Sequence, residues 1–439
     1  EEGASYRVRV TGYSIGRGPF LLELSIHPVF QKMYTFEASA GSLPLGCLVQ
    51  GVDGDFYGAT SIGGATDNGT LFKMTPDRVI TTLVEFSGKT GPNRGGAQGG
   101  VTLLQFRDGE FYGTTGRFGD IPATIFKVTT DGVFTTLVEF AEGENPLATL
   151  VQGSDGDFYG ATSGRDEVDG TILNHGTIFR MTPAGVLTTL LEFTGTEGPN
   201  LGSSPEAALV QGSDGDFYGT TPFGGADNQG TIFRMTAEGV LTTLFEFGIN
   251  DNGSLSYAAL VQGNDGDFYG TTYLGGIGYG TAFKITPGGE LTTLVQFTGV
   301  EGPNSAALVL GSDGNFYGTT PFGGADNQGT IFRMTAEGVL TTLVEFSGTG
   351  ATDVGAFPDG ALVLSSGGDF YGTTSRGGFD GNDVGTVFKV TPEGALTTLV
   401  DFAARGGGGV GGSPAAALVL GNDGNFYGTT EFDGATDSG

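Results

Sequence analysis

A phrase ending in Phe-Tyr-Gly recurs eight times, from Phe56-Tyr57-Gly58 to Phe426-Tyr427-Gly428, with successive tyrosines 47 to 59 residues apart. That period is too long for one coil of a β-helix and suits four short strands with their loops. A strict repeat overrides the two or three domains that 439 residues would otherwise suggest, because each unit takes part of its core from its neighbours.

The fourth unit shows the parts: strand a over 207–211, b over 216–221, c over 231–236 and d over 240–247. Ser213-Asp214-Gly215 joins a to b and Ala237-Glu238-Gly239 joins c to d. Asp-Gly between apolar runs is a strong hairpin signal, since both residues tolerate positive φ. Side chains alternate along a strand, so Phe217 and Tyr218 point to opposite faces and both faces must be covered. A blade stacked between two blades meets that demand, and a buried ring contributes about 1.5–3 kcal/mol.

The reading is an all-β, closed β-propeller of eight four-stranded blades. The last unit stops at Gly439 after strands a and b, while Leu22 to Phe36 aligns without a gap on Phe233 to Phe247, strands c and d. Residues 19–36 and about 415–439 would therefore share the eighth blade, and residues 1–18 would form an extra N-terminal segment. Closure of that kind removes exposed sheet edges. The alternative is a seven-bladed ring with a peeled-off terminal hairpin.

Composition narrows the partners. There are 19 Lys and Arg against 49 Asp and Glu, a formal charge of −30, which repels phosphate backbones and anionic lipid heads. Nucleic acid is not an expected partner, and no apolar run is long enough for membrane insertion in this region. One cysteine, Cys47, excludes an intrachain disulfide framework. The sequence opens at Glu1 without methionine, as expected of a processed region whose signal or anchor lies outside it.

The phrase GSDGDFYGTT, a GGA-type loop, GTIFRMT and GVLTTLVEF together resemble the tandem repeat called GloVer, from Gloeobacter and Verrucomicrobia, over residues 19–439. The resemblance implies an extracellular or cell-surface protein with no established catalytic activity, and it transfers no functional residue. The motif is also similar to the repeats of two-component regulator sensor propellers, in architecture only.

Phe217 to Leu244 recurs letter for letter at Phe316 to Leu343. Residues present in every unit therefore serve the scaffold, and a ligand site should use residues found in one unit only. By that rule the bases of strand c (Lys73, Lys127, Arg180, Arg234, Lys284, Arg333, Lys389) and the mostly acidic position of strand d (Glu85 to Asp401) are structural, a pattern between blades or along the rim. Gly12-Tyr13-Ser14-Ile15-Gly16 has the letters of a nucleophile elbow, and Gly406 to Gly411 those of a dinucleotide loop; neither precedes a helix.

The long, variable d-to-a and b-to-c connections share one face, the expected binding surface. Its most individual loop, Ser163 to Gly176, carries Asp166, Glu167, Asp169 and His175, a set able to hold a cation or to transfer protons. A solvated acidic insertion accounts for the same residues. Tyr273 and Tyr279 could stack on a sugar, and Asp380, Asn382 and Asp383 form a possible Ca2+ loop. The expectation is a binding scaffold without catalysis or obligatory cofactor, its ligand a glycan or envelope polymer. The alternative is a carbohydrate-active hydrolase or lyase with a carboxylate site on that face. A third reading is an assembly module docking through residues 1–18.

Overall fold

The computed structural model describes residues 30–431 except 35, 37–40, 45, 47, 107, 147, 165–166, 169–170, 173, 249–252, 299–306, 349–354, 359, 379–383, 403–411 and 415. The chain forms a ring-shaped propeller of seven four-stranded blades, in which strands a to d pair antiparallel in chain order. The blades span 49–85, 101–139, 151–192, 210–246, 261–296, 309–345 and 363–401. In the fourth, the strands are Val210–Gln211, Phe217–Thr221, Thr231–Met235 and Leu241–Glu246.

The Phe-Tyr pair behaves as alternation requires. Phe217 and Tyr218 are both wholly buried, Phe217 stacking 4.0 Å from Tyr159 of the preceding blade and Tyr218 3.9 Å from Phe268 of the following one. The third member of the phrase is glycine because the tip of the strand c phenylalanine fills the space above it: a Cβ on Gly219 would lie 2.5 Å from Phe233 Cζ. Strand d carries a bulge in every blade, between the partners of Ile232 and Phe233 in the fourth. The strand d leucine Leu190 receives the c-to-d turn of the next blade, where Gly239 leaves no room for a Cβ, 2.9 Å from Leu190.

The closed ring of eight four-stranded blades is not what forms. The last unit is a two-stranded sheet, Val419–Leu420 with Phe426–Tyr427, and every sheet is an open one. Residues 30–34 carry no strand and contribute no rung to that hairpin. They and Phe36 engage through side chains instead: Phe30 meets Phe402 edge-on at 5.7 Å, and Phe36 is buried 5.0 Å from Phe72. Apolar spacing over Leu22 to Phe36 thus anticipated burial at Phe36, but spacing does not supply the backbone pairing a strand needs. Residues 1–29, with the N-terminal segment and the elbow-like Gly12 to Gly16, lie outside the described residues, as do Cys47 and Gly406 to Gly411.

The recurring charges are structural, with a different pairing from the one expected. Six of the seven strand c bases bond the acid that opens strand b of their own blade, among them Lys73 to Asp55 at 2.6 Å, Lys127 to Glu110 at 2.8 Å and Arg234 to Asp216 at 2.9 Å; Arg333, whose unit has Asn315 there, donates to Pro392 O at 3.4 Å. In three blades the strand d acid accepts a backbone N–H from the b-to-c loop: Glu85 from Ala65 at 3.0 Å, Glu246 from Ala226 at 2.7 Å and Glu345 from Ala325 at 2.9 Å.

Candidate functional site

The two ends of the ring are built differently. At the a-to-b end, the turn aspartate accepts the tyrosine hydroxyl of its own unit: Asp53 from Tyr57 at 2.7 Å, Asp155 from Tyr159 and Asp214 from Tyr218 at 2.8 Å. Burial, then the bond to the carboxylate, pushes the Tyr57 and Tyr159 hydroxyls up to about 12. Burial alone would raise the Asp53 carboxyl, but hydrogen bonds from Tyr57 and Lys73 outweigh it and hold the group below its usual range. Repetition of this arrangement identifies it as scaffold.

At the other end, strands b and c are tied by buried threonine pairs such as Thr221 and Thr231, 2.9 Å apart, and the loops above them are woven across units. Ser203 pairs with Phe223, Ser254 with Leu274 and Ala356 with Arg376 as isolated bridges. Each brings a d-to-a connection against the b-to-c loop that follows it. The next residue of that connection takes a left-handed backbone: Leu43 at φ 56°, Ser204 at 57°, Leu255 at 58°, Phe357 at 54° and Ser413 at 50°. A bulky aromatic is an uncommon occupant of this conformation.

Phe357 sits in the wall of a cleft of about 430 Å³ with Pro321, Phe322, Ser375 and Arg376. Phe322 meets Phe357 edge-on at 5.4 Å, and the Arg376 guanidinium lies 5.2 Å from the Phe357 ring centre. Phe322 and Arg376 are exposed; Phe357 is half-buried. The backbone behind them is fixed, since Ala356 N–H donates to Arg376 O at 2.8 Å, Arg376 N–H returns to Ala356 O at 3.1 Å, and Phe357 N–H donates to Gln328 O at 2.9 Å. Among the described residues no carboxylate pairs with Arg376.

The fourth and fifth blades present the same loop with other neighbours. Phe223, in the segment identical to that of Phe322, meets Tyr257 at 6.5 Å, and Tyr257 meets Tyr273 at 6.4 Å, so the same loop has aromatic neighbours here where Phe322 has Phe357. Tyr273 and Tyr279 are both about two-fifths exposed on this face, beside exposed Leu274 and Ile277.

The Ser163 to Gly176 loop contains a short hairpin, Glu167–Val168 pairing with Thr171–Ile172, which the sequence reading had left as loop. Asp166 and Asp169 lie outside the described residues, and so do Asp380, Asn382 and Asp383. His175 bonds Ser203 Oγ through Nδ1 at 3.1 Å and lines a cleft of about 290 Å³ with Glu144, Asn174, Thr177, Glu192 and Phe193. The structure thus gathers His175 with Glu144 and Glu192, neither of which the sequence had singled out for chemistry. Among the described residues no three metal-ligating side chains are grouped to hold an ion.

Phe322, Phe357 and Arg376 were also missed. A signal existed in the rule that sites use residues of one unit: Phe357 stands where four other units have Leu43, Ser204, Leu255 and Ser413. It was invisible without knowing that residues so far apart share a wall.

No curated protein matches the chain in sequence. Among solved structures, the BP39L lectin from Burkholderia pseudomallei aligns at 12% identity over 82% of this chain and 99% of the lectin, with a TM-score of 0.52. A puromycin-hydrolyzing peptidase from Mycobacterium tuberculosis aligns at 13% identity and TM-score 0.49, over 90% of this chain. The chain spans 59% of that peptidase's length. Dipeptidyl peptidase 4 of Porphyromonas gingivalis aligns at 12% identity and TM-score 0.47, over 84% of this chain and 54% of its own. These likenesses concern the fold. The Gloeobacter/Verrucomicrobia repeat pattern matches residues 1–201, 167–278 and 277–439, and on that match, which also takes in the eighteen N-terminal residues set apart above, the chain belongs to the Gloeobacter/Verrucomicrobia repeat family.

Proposed function

We propose that the protein is a non-catalytic, extracellular or surface-displayed binding propeller whose ligand is a glycan or envelope polymer. The observation that carries this reading is the set of exposed aromatic side chains on the loop-bearing end: Tyr273 and Tyr279 on one loop, and Phe322 in an open cleft walled by Phe357. Aromatic faces stack on the apolar face of a pyranose, and rigid backbone behind them limits the ordering that binding requires. A glycan-array screen followed by calorimetry tests it: binding weakened by Tyr273→Ala or Phe322→Ala with unchanged thermal stability supports the reading, and a screen without any binder removes it.

One observation favours a second reading, a carbohydrate-active hydrolase or lyase. Glu192 and Glu144 share a cleft with His175, and among the described residues no loop N–H reaches Glu192, whereas its counterparts Glu246 and Glu345 each accept one. Turnover of an oligosaccharide abolished by Glu192→Gln would establish it over the first.

A further inference from the structure

We infer that the cleft between the sixth and seventh blades takes a single carboxylate-bearing sugar ring at the end of an otherwise neutral glycan, with Arg376 as the carboxylate's partner. The inference rests on the glycan-binding reading and assigns the chemistry of one site within it.

Three observations converge there. Phe322 offers an exposed ring face and Phe357 closes the wall edge-on to it. Arg376 is held over Phe357 and among the described residues has no carboxylate partner, in a chain with 49 acidic side chains to 19 basic ones. An exposed arginine in so acidic a protein would ordinarily pair, as Arg94 does with Glu139 at 2.7 Å. A guanidinium stacked on a ring keeps its fork of donors directed outward, matched to a carboxylate. Phe357 also stands in a left-handed backbone conformation in which four other units place the less bulky Leu43, Ser204, Leu255 or Ser413, a local cost borne at the cleft wall.

Net charge decides how much acid the ligand can carry. A polyuronate would lay many charges along a surface of formal charge −30 and be repelled. One carboxylate inside the cleft experiences mainly Arg376, because at physiological salt fields are screened beyond roughly 8 Å.

The blade duplication supplies an internal control, since Phe223 lies in the same sequence as Phe322 but beside Tyr257 rather than beside Phe357 and Arg376. Calorimetry would compare a neutral trisaccharide, the same trisaccharide ending in glucuronate, and polygalacturonate. The expected result is binding of the glucuronate-ended sugar about tenfold tighter than the neutral one, a preference lost in Arg376→Gln, reduced in Arg376→Lys, which keeps the charge without the planar fork, and weakened in high salt. Phe322→Ala should lower affinity for both trisaccharides, and Phe223→Ala should leave it unchanged. Equal affinity for the two trisaccharides, tighter binding of polygalacturonate, or a preference that survives Arg376→Gln in a variant of unchanged melting temperature overturns the inference while leaving the glycan reading in place. Absence of binding by any saccharide overturns both.

Discussion

Tyr427 stacks on Phe56 with ring centroids 3.9 Å apart, joining the last described hairpin to the first blade. The contact repeats the one made between successive units, such as Tyr57 with Phe111 at 4.0 Å and Tyr317 with Phe370 at 4.0 Å. A hydrogen bond runs beside it, from the Asn422 backbone N–H to the side-chain Oε1 of Gln50 at 2.7 Å.

The stack is covered unequally around the ring. Phe217 is wholly buried, whereas Tyr427 is half-buried because its hairpin has no strands c and d among the described residues. Phe217→Ala should cost about 3–5 kcal/mol and Tyr427→Ala clearly less. Urea midpoints of the two variants check this, and equal losses would contradict the difference in cover.

The buried tyrosines make stability fall at high pH. Tyr57, Tyr112, Tyr159, Tyr317 and Tyr427 are pushed up to about 12, by burial first, while the unfolded chain ionises near 10. Between those values the fold retains protons that the unfolded chain has lost, so the contribution is complete below about pH 10 and is lost as pH rises through about 12. Alkaline denaturation followed by tyrosinate absorbance should track unfolding. In Tyr159→Phe the fall should be shallower. Asp313, held below its usual value by bonds from Asn315 and Tyr317 against the effect of burial, acts at the other end: its contribution is present at neutral pH and lost as pH falls below about 3.8.

Gly219→Ala should destabilise by about 1–3 kcal/mol, because the new methyl meets Phe233 Cζ at 2.5 Å and Leu209 Cδ2 at 3.0 Å inside a packed blade. Pairing it with Phe233→Leu should recover part of the loss if overpacking is the cause. No recovery in a double-mutant cycle would point elsewhere.

Asn228 has φ 54° and its Oδ1 accepts Gly224 N–H at 2.8 Å, so it both tolerates the left-handed turn and bonds across it. Asn228→Gly loses only the bond, about 1 kcal/mol; Asn228→Ala adds roughly 1–2 kcal/mol of backbone strain. The alanine variant should therefore melt lower than the glycine variant.

Local order was legible because the repeat writes it many times. Alternation at Phe217 and Tyr218 demanded two covered faces, and Asp214-Gly215 demanded a turn; both demands are local and both are met. The glycine of Phe-Tyr-Gly was legible as a position but not as a reason, since the ring that excludes its Cβ comes from strand c, fourteen residues on for Gly219 and Phe233. The partner of each strand c base was missed for the same cause, a choice between two acids that only register decides.

The sequence by itself determined the repeating unit, its strands and turns, and the burial of its aromatic pair, because those depend on alternation and on residues within a hairpin. Only the tertiary structure decided the two outcomes that join distant segments. Among the described residues the last unit stays a two-stranded sheet, and residues 30–34 add no strand to it, because apolar spacing by itself does not supply backbone pairing. The cleft exists because Phe322, Phe357 and Arg376 reach one wall from three loops, while the identical loop at Phe223 meets Tyr257 instead.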